Sequence, residues 1–180
     1  MPNMINHNFK AVIEALLFVS EKPVLIEQIR GVLGELDSAK VREMLEELKE
    51  EYANSYRGMR IAEVAGGFQM VTASELSAFL KKFYRKPPER LSGPTLETLS
   101  IIAYKQPVTR MEIEGIRGVE VSGIVKSLIN KGLVRTAGRK KAPGRPFVYA
   151  TTRQFLEYFG LKSLEELPKI KEFAKTEDKK

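Results

Sequence analysis

The chain has 180 residues, of which 43% are hydrophobic, and it carries a formal net charge of +7 with no cysteine. This is enough for one large folded domain or two small ones, and it excludes disulfides, thiolate metal sites and a cysteine nucleophile. No apolar run is long enough to span a membrane and the first residues lack the pattern of a signal peptide, so we expect a cytoplasmic protein.

The residue types that most enzymes use for catalysis are scarce. His7 is the only histidine and precedes the first apolar pattern, so a catalytic triad or a His-rich metal site would have to form around a terminal residue. No phosphate-binding glycine motif is present. The five glutamates within residues 43–51 fit a solvated helix face better than acid–base catalysis. We therefore expect no enzymatic activity, no cofactor and no bound metal.

In chain order, the first half predicts a helix, a short helix, a longer helix and a β-hairpin. The short helix follows Pro23, and the longer one carries apolar residues at the spacing i, i+3, i+4, i+7 through residues 41–48. The alternating residues 68–72 then indicate a strand, with Gly66-Gly67 as the predicted tip of the hairpin.

A closing helix over residues 74–84 completes this first copy of the pattern. Its apolar residues Leu76, Phe79, Leu80 and Phe83 share one face. A domain of about 80 residues has a limited core in which to bury so many large side chains. We therefore predict a homodimer that forms largely through the first half of the chain.

The second half repeats the first. Residues 107–116, PVTRMEIEGI, match residues 23–32, PVLIEQIRGV, at an offset of 84. The next helix follows at an offset of 80 and the strand containing Phe147 and Tyr149 at an offset of 79, which pairs Phe147 with Phe68. Thr109 and Glu112 have the spacing of a capping box, so the second short helix is expected to start at Thr109.

Two copies of three helices and a hairpin predict a mainly α protein with small β-hairpin wings, that is, tandem winged-helix domains. The predicted boundaries are an N-terminal domain over 1–86, a linker over 87–94 and a C-terminal domain over 95–168. Residues 169–180 form a charged tail that we expect to be disordered.

The second half also resembles a known family, through ETL at 97–99, IIAY at 101–104, QP at 106–107, TR at 109–110, EIE at 112–114, IRGV at 116–119 and GRP at 144–146. These motifs resemble segregation and condensation protein B (ScpB), and the likeness is dense over residues 91–168. The resemblance implies a non-catalytic homodimer that binds the kleisin ScpA. Through that kleisin it would act with an SMC ATPase in condensation and segregation of the chromosome, and thus in the cytoplasm at the nucleoid.

Within the stretch 97–118, Leu99, Ile102 and Ile113 have the pattern of core residues. The polar residues are the candidates for contact with the partner. They are Tyr104, Gln106, Arg110 and Arg117. For Tyr104, Gln106 and Arg110, a structural role as caps at the helix–turn junction is an equal alternative. For Arg117, which precedes Gly118, a structural role at the end of the helix is favoured at least as much as partner contact.

The second hairpin carries the candidates for DNA contact. They are Arg139, Lys140, Lys141 and Arg145, to which Arg135 adds a fifth positive charge. The alternative is a solvated turn whose charges keep the hairpin edge soluble. The alternative function for the whole chain is accordingly a tandem winged-helix transcription regulator, although the predicted reading helices carry few side chains suited to base contacts. No membrane partner is expected.

Overall fold

The computed structural model describes residues 9–34, 36–54, 56–84 and 90–169. His7, the linker residues 87–89 and the tail residues 170–180 lie outside this part of the chain. The described residues form two compact units, one of residues 9–84 with 160–169 and the other of residues 90–159. No helix in the described ranges is both long and apolar enough to cross a bilayer.

The first unit consists of three helices, a hairpin and a closing helix, as the sequence predicts. Its elements are α1 (Phe9–Val19), α2 (Ile26–Leu33), α3 (Ser38–Asn54), β1 (Met59–Val64), β2 (Gly67–Thr72), a 3-10 turn (Ser74–Leu76) and α4 (Ser77–Phe83). Side chains from the three helices and the hairpin meet in one core. Its fully buried members include Ile13, Ile29, Leu45 and Phe68.

The first hairpin turns one residue earlier than predicted. Gly67 already pairs with Val64, so the turn consists of Ala65 and Gly66, with φ angles of +51° and +73°. Two positive φ values match the right-handed twist of a two-residue hairpin. Gly67 is required for another reason: a Cβ there would lie 2.8 Å from the carbonyl oxygen of Val24.

The second unit repeats this order and adds a short strand. Its elements are α5 (Gly93–Lys105), β3 (Val108–Thr109), α6 (Arg110–Arg117), α7 (Ser122–Asn130), β4 (Val134–Arg139), β5 (Phe147–Thr151) and α8 (Arg153–Phe159). The antiparallel sheet has the order β3-β5-β4. The predicted core residues Leu99, Ile102 and Ile113 are all buried. The predicted fold class, tandem winged-helix domains, is confirmed.

The backbone pairing corrects the alignment of the two hairpins by two residues. Val24 and Val108 occupy the same place in the repeat, and they pair with Phe68 and Tyr149 respectively. Phe68 therefore corresponds to Tyr149, and its predicted counterpart Phe147 is 46% exposed. A slip of two residues keeps every side chain on its face of the sheet, so alternation in the sequence cannot detect it.

After α8 the chain returns to the first unit. Gly160 adopts a φ of +66°, and the carbonyl oxygens of Leu161 and Lys162 accept hydrogen bonds from the backbone N–H groups of Ala65 and Gly66 at 2.8 and 3.1 Å. These residues thus cover the tip of the first hairpin, whereas the sequence pattern places them in the C-terminal domain. At the other boundary, α5 already begins at Gly93, within the predicted linker.

Candidate functional site

The start of α6 is fixed by a reciprocal capping box. Thr109 is the N-cap: its Oγ1 accepts from the backbone N–H of Glu112 at 3.3 Å, and its own N–H donates to Glu112 Oε2 at 2.8 Å. Glu112 Oε1 pairs with Lys140 Nζ at 2.5 Å. Lys140 above all, and the bonds from Thr109, lower the pKa of Glu112 to about 2. The predicted helix start is confirmed, and one carboxylate ties it to the second hairpin.

Gln106 and Arg117, two of the predicted partner contacts, make internal bonds with their side chains. Gln106 Oε1 accepts from the backbone N–H and the hydroxyl of Thr151 at 2.7 and 3.0 Å, and Gln106 Nε2 donates to the Ala103 carbonyl at 3.0 Å. Gln106 therefore fastens the end of α5 to β5.

Arg117 likewise holds the last turn of α6 against the first turn of α5. Its guanidinium donates to the Pro94 carbonyl at 2.7 Å and to Thr98 Oγ1 at 2.9 Å, and it pairs with Glu97 at 3.0 Å. Only 13% of the Arg117 side chain is exposed. Gly118 follows in the left-handed conformation that ends the helix.

Tyr104 and Arg110, the other two predicted contacts, reach the surface to different degrees. Tyr104 is half-buried near the end of α5. Arg110 is exposed at the start of α6 and pairs with Glu114 at 3.5 Å. Partner contact by these four residues stays a prediction, and Arg110 is the one whose side chain is most available for it.

An open groove between α5 and α6 offers a further surface that the sequence analysis did not single out. Its apolar lining is Leu96, Ile101 and Ile116, flanked by Gly93 and Ser100, with the Glu97–Arg117 pair at one side. Leu96 is 43% exposed and Ile116 is 56% exposed, although both lie on helices with buried faces. We call this surface the α5–α6 groove.

The signal for the groove was present in the sequence but ambiguous. On α6, Ile113 and Ile116 are three residues apart, which is a spacing that normally places both on one buried stripe. In the structure Ile113 is buried and Ile116 is exposed. The packing of α5 against α6 decides which of the two is covered, and the helical spacing alone does not contain that information.

Of the predicted DNA contacts on the second hairpin, Arg139 ends β4, and Lys140, Lys141 and Arg145 lie at the tip, residues 140–146. Arg139 lies 3.9 Å over the ring of Phe147 and donates from Nη1 to the Arg145 carbonyl at 2.9 Å. Lys140 is paired with Glu112, whereas Lys141 and Arg145 are exposed and make no ion pair within the described residues. The contact of these side chains with DNA stays a prediction.

The closing helix of the first unit presents the apolar face that the sequence predicts. Phe79 and Phe83 are 69% and 78% exposed, and Leu76 is also on the surface. Tyr84 follows directly, with its ring edge-on to Phe83 at 5.5 Å. These large side chains have little core contact within one chain.

Across the described ranges there is no group of three or more His, Cys, Asp or Glu residues placed to hold a metal ion. Each buried polar side-chain atom in the same ranges has a hydrogen-bond partner. The features that the structure brings together are therefore surfaces: the α5–α6 groove, the basic hairpin and the apolar face of α4.

The comparisons with known proteins agree on one family. The family described as "Segregation and condensation complex subunit ScpB" matches residues 11–170. Segregation and condensation protein B of Moorella thermoacetica is 47% identical over 99% of this chain and 91% of its own length. The protein of the same name from Syntrophotalea carbinolica is 48% identical over 92% of this chain and 83% of its own.

Two solved structures are also similar in sequence. ScpB from Mycobacterium tuberculosis is 30% identical, with 85% of this chain and 95% of that chain covered and a TM-score of 0.40. A dimer of a ScpB N-terminal domain complexed with ScpA peptide is 33% identical, with 42% of this chain and 93% of that chain covered and a TM-score of 0.40.

Proposed function

The chain belongs to the family of segregation and condensation complex subunit ScpB, as its sequence predicts, and on that premise we propose that it is a non-catalytic, kleisin-binding subunit of an SMC complex. It would bind the kleisin ScpA, act with the SMC ATPase through that kleisin, and support chromosome condensation and segregation. The partner's name comes from the family, and the residues that would hold the partner come from the structure.

The observation that carries the proposal is the α5–α6 groove. Both helices are anchored in the core, because Leu99 and Ile102 of α5 and Ile113 of α6 are buried. Arg117 fixes the two helices to each other through its bonds to Pro94 and Thr98. A preformed groove binds with little loss of conformational entropy, and an amphipathic kleisin segment could place its apolar face on Leu96 and Ile116.

Isothermal titration calorimetry of the full chain with ScpA tests this proposal. The variants Leu96→Gln and Ile116→Gln remove exposed apolar surface and, combined, are expected to weaken binding by roughly tenfold or more. Met111→Gln is the matched control, because Met111 lies on the same helix outside the groove and is 73% exposed. Binding that is unchanged in the groove double variant would move the surface elsewhere, and absence of binding by the unaltered chain would reject the function.

We further propose that the chain is a homodimer joined through the face of α4. Phe79 and Phe83 expose large aromatic surfaces, and closing such a face against a twofold copy would remove them from water at roughly 25 cal/mol per Å². The variant Phe79→Ser/Phe83→Ser should shift the mass in light scattering from two chains to one. A monomeric mass for the unaltered chain at micromolar concentration would contradict this proposal.

A further inference from the structure

The positive charge of the chain is concentrated in the second unit. Residues 90–159 contain 12 Lys and Arg against five Asp and Glu, whereas residues 9–84 with 160–169 contain 12 against 14. The formal charge of the second unit is thus +7 and that of the first is −2, so the first unit has no share in the basic character of the protein.

Within the second unit, the charge is densest on the hairpin. Arg135, Arg139, Lys140, Lys141 and Arg145 fall within 11 residues that contain no Asp or Glu, and all five are exposed. Among the residues that the structure describes, the one carboxylate that pairs with any of them is Glu112, which neutralises Lys140. Four positive side chains therefore face solvent without an acidic partner in the described part of the chain. The corresponding tip of the first unit, Ala65-Gly66, has no charge.

The hairpin holds these charges on a rigid backbone. The N–H of Lys140 donates to the Pro146 carbonyl and the N–H of Arg145 donates to the Ala142 carbonyl, each at 2.9 Å. Arg139 adds its stacking on Phe147 and its bond to the Arg145 carbonyl. The tip is therefore ordered before any partner arrives, and binding would not have to immobilise it.

The surface suits a polyelectrolyte better than a protein. Protein interfaces gain most of their energy from a buried aromatic or aliphatic anchor, and the tip residues 140–146 include only Ala142 and Pro143 as small apolar groups besides Pro146. Clustered cations on a hairpin instead favour binding to a phosphate backbone, because they release the counterions condensed on it and this release makes the binding free energy more negative.

We propose that the hairpin β4–β5 is a sequence-independent binding site for the phosphate backbone of duplex DNA, with Arg139, Lys141 and Arg145 as the phosphate contacts. Arg135 pairs with Ala150 and Arg139 with Phe147, so Arg135 lies on the other face of the sheet and adds only to the local positive charge. We expect no contacts to base edges, because the exposed polar side chains of α7 are Lys126 and Asn130. Two such side chains are too few for the paired contacts to base edges that give sequence specificity. This site is separate from the α5–α6 groove, and the proposal does not depend on kleisin binding.

Fluorescence anisotropy of the full chain with a labelled random-sequence duplex of about 30 base pairs, from 50 to 200 mM NaCl, tests the proposal. Each phosphate contact adds about 0.9 to the slope of log K against log salt. The double variant Lys141→Gln/Arg145→Gln should lower that slope by about 2 and weaken binding at 50 mM salt by roughly tenfold per lost contact.

The matched control is Arg90→Gln/Lys105→Gln, which removes two exposed positive charges from the same unit but not from the hairpin. This control should keep most of the affinity and nearly the whole slope. Equal losses in both double variants would mean that net charge alone attracts DNA, and no measurable binding by the unaltered chain would mean that DNA is not the ligand. If the hairpin variant weakens binding of ScpA and leaves duplex binding unchanged, the surface is a protein contact. Each of these three results would overturn the proposal.

Discussion

The two units have the same order of elements but expose different chemistry. The first presents aromatic side chains on α4 and an acidic face on α3, where Glu43, Glu47 and Glu50 are exposed. The second presents an apolar groove and a basic hairpin. In both units the short helix follows Pro-Val, and the valine pairs with the second strand of the hairpin.

The comparison shows that a repeated core leaves the surfaces free to diverge. Burial is matched at the equivalent core positions, for example Ile29 with Ile113 and Leu45 with Val125. The exposed positions have no such constraint, so the proposed self-association can lie in one copy and the proposed kleisin and DNA contacts in the other.

The largest expected effect is at Phe68 of the first hairpin, which the sequence repeat aligns with Phe147 and the backbone pairing aligns with Tyr149. Phe68 is 0% exposed, and Phe68→Ala should destabilise the first unit by about 3–5 kcal/mol through lost burial and the cavity left behind. Phe147→Ala, which the sequence repeat treats as the same change, should cost only about 1 kcal/mol because the ring is half-exposed and mainly supports Arg139.

Urea unfolding followed by far-UV circular dichroism measures both variants, with the two units fitted as separate transitions if they resolve. Equal losses for Phe68→Ala and Phe147→Ala would contradict the register derived from backbone pairing and would restore the alignment of the sequence repeat.

The next effect concerns the close approach of the first hairpin to Val24. In Gly67→Ala the new methyl group would lie 2.8 Å from the Val24 carbonyl oxygen, so the backbone must move and weaken the Val24–Phe68 bridge. We expect a loss of about 1–3 kcal/mol in urea unfolding. Gly31→Ala, in open space within α2, is the control and should instead stabilise by up to about 1 kcal/mol. A neutral Gly67→Ala would show that the first hairpin tolerates displacement from α2.

The repeat and the helix start could be predicted because each depends on local chemistry. Thr109 with Glu112 specifies a capping box, and residues 41–48 specify a helix stripe, whatever the rest of the fold does. The hairpin turn was missed by one residue, because two adjacent glycines allow the turn at either position. Ala65 occupies its first position with a φ of +51° and also donates to Leu161, which is distant in the sequence.

The candidate site was harder to predict, because polar residues near a helix end have the same sequence signature whether they bind inward or outward. Gln106 and Arg117 turn out to bond within the unit, and their partners Thr151 and Pro94 lie 45 and 23 residues away. Leu96 and Ile116 show the opposite case. Their helical spacing suggests burial, but the packing of α5 on α6 leaves them exposed.

A smaller effect is expected from the side-chain N-cap of the short helix, which α6 has and α2 lacks. Thr109→Ala removes the hydroxyl that accepts from the Glu112 N–H, and we expect a loss of about 1 kcal/mol in the second unit. The equivalent residue of the first unit is Leu25, whose side chain has no acceptor atom, and its short helix starts with the bond from the Leu25 N–H to Gln28 Oε1 at 2.9 Å. Thr72→Ala, exposed at the end of β2, is the control and should change stability by a few tenths of a kcal/mol or less. A loss at Thr109 no larger than in this control would mean that the hydroxyl contributes nothing to helix initiation.

The smallest effect is a dependence on acid that should be confined to the second unit. Glu112 has a pKa of about 2, lowered chiefly by Lys140, against an ordinary value of 4.5 in the unfolded chain. A group whose pKa is lower in the folded state stabilises the protein above its unfolded pKa, and this contribution is lost as the pH falls from about 4.5 to about 2. Glu112→Gln makes the second unit resemble the first, where the neutral Gln28 holds the same place. The stability difference between the unaltered chain and Glu112→Gln should therefore be present at pH 6 and shrink toward zero near pH 2, as measured by urea unfolding at each pH. Glu50→Gln, at an exposed position on α3, is the control and should show no such trend.

An NMR titration of the Glu112 carboxyl tests whether Lys140 causes the lowered pKa. The variant Lys140→Gln should return the pKa of Glu112 toward 4.5. A pKa that stays near 2 in that variant would assign the shift to the Thr109 hydrogen bonds alone.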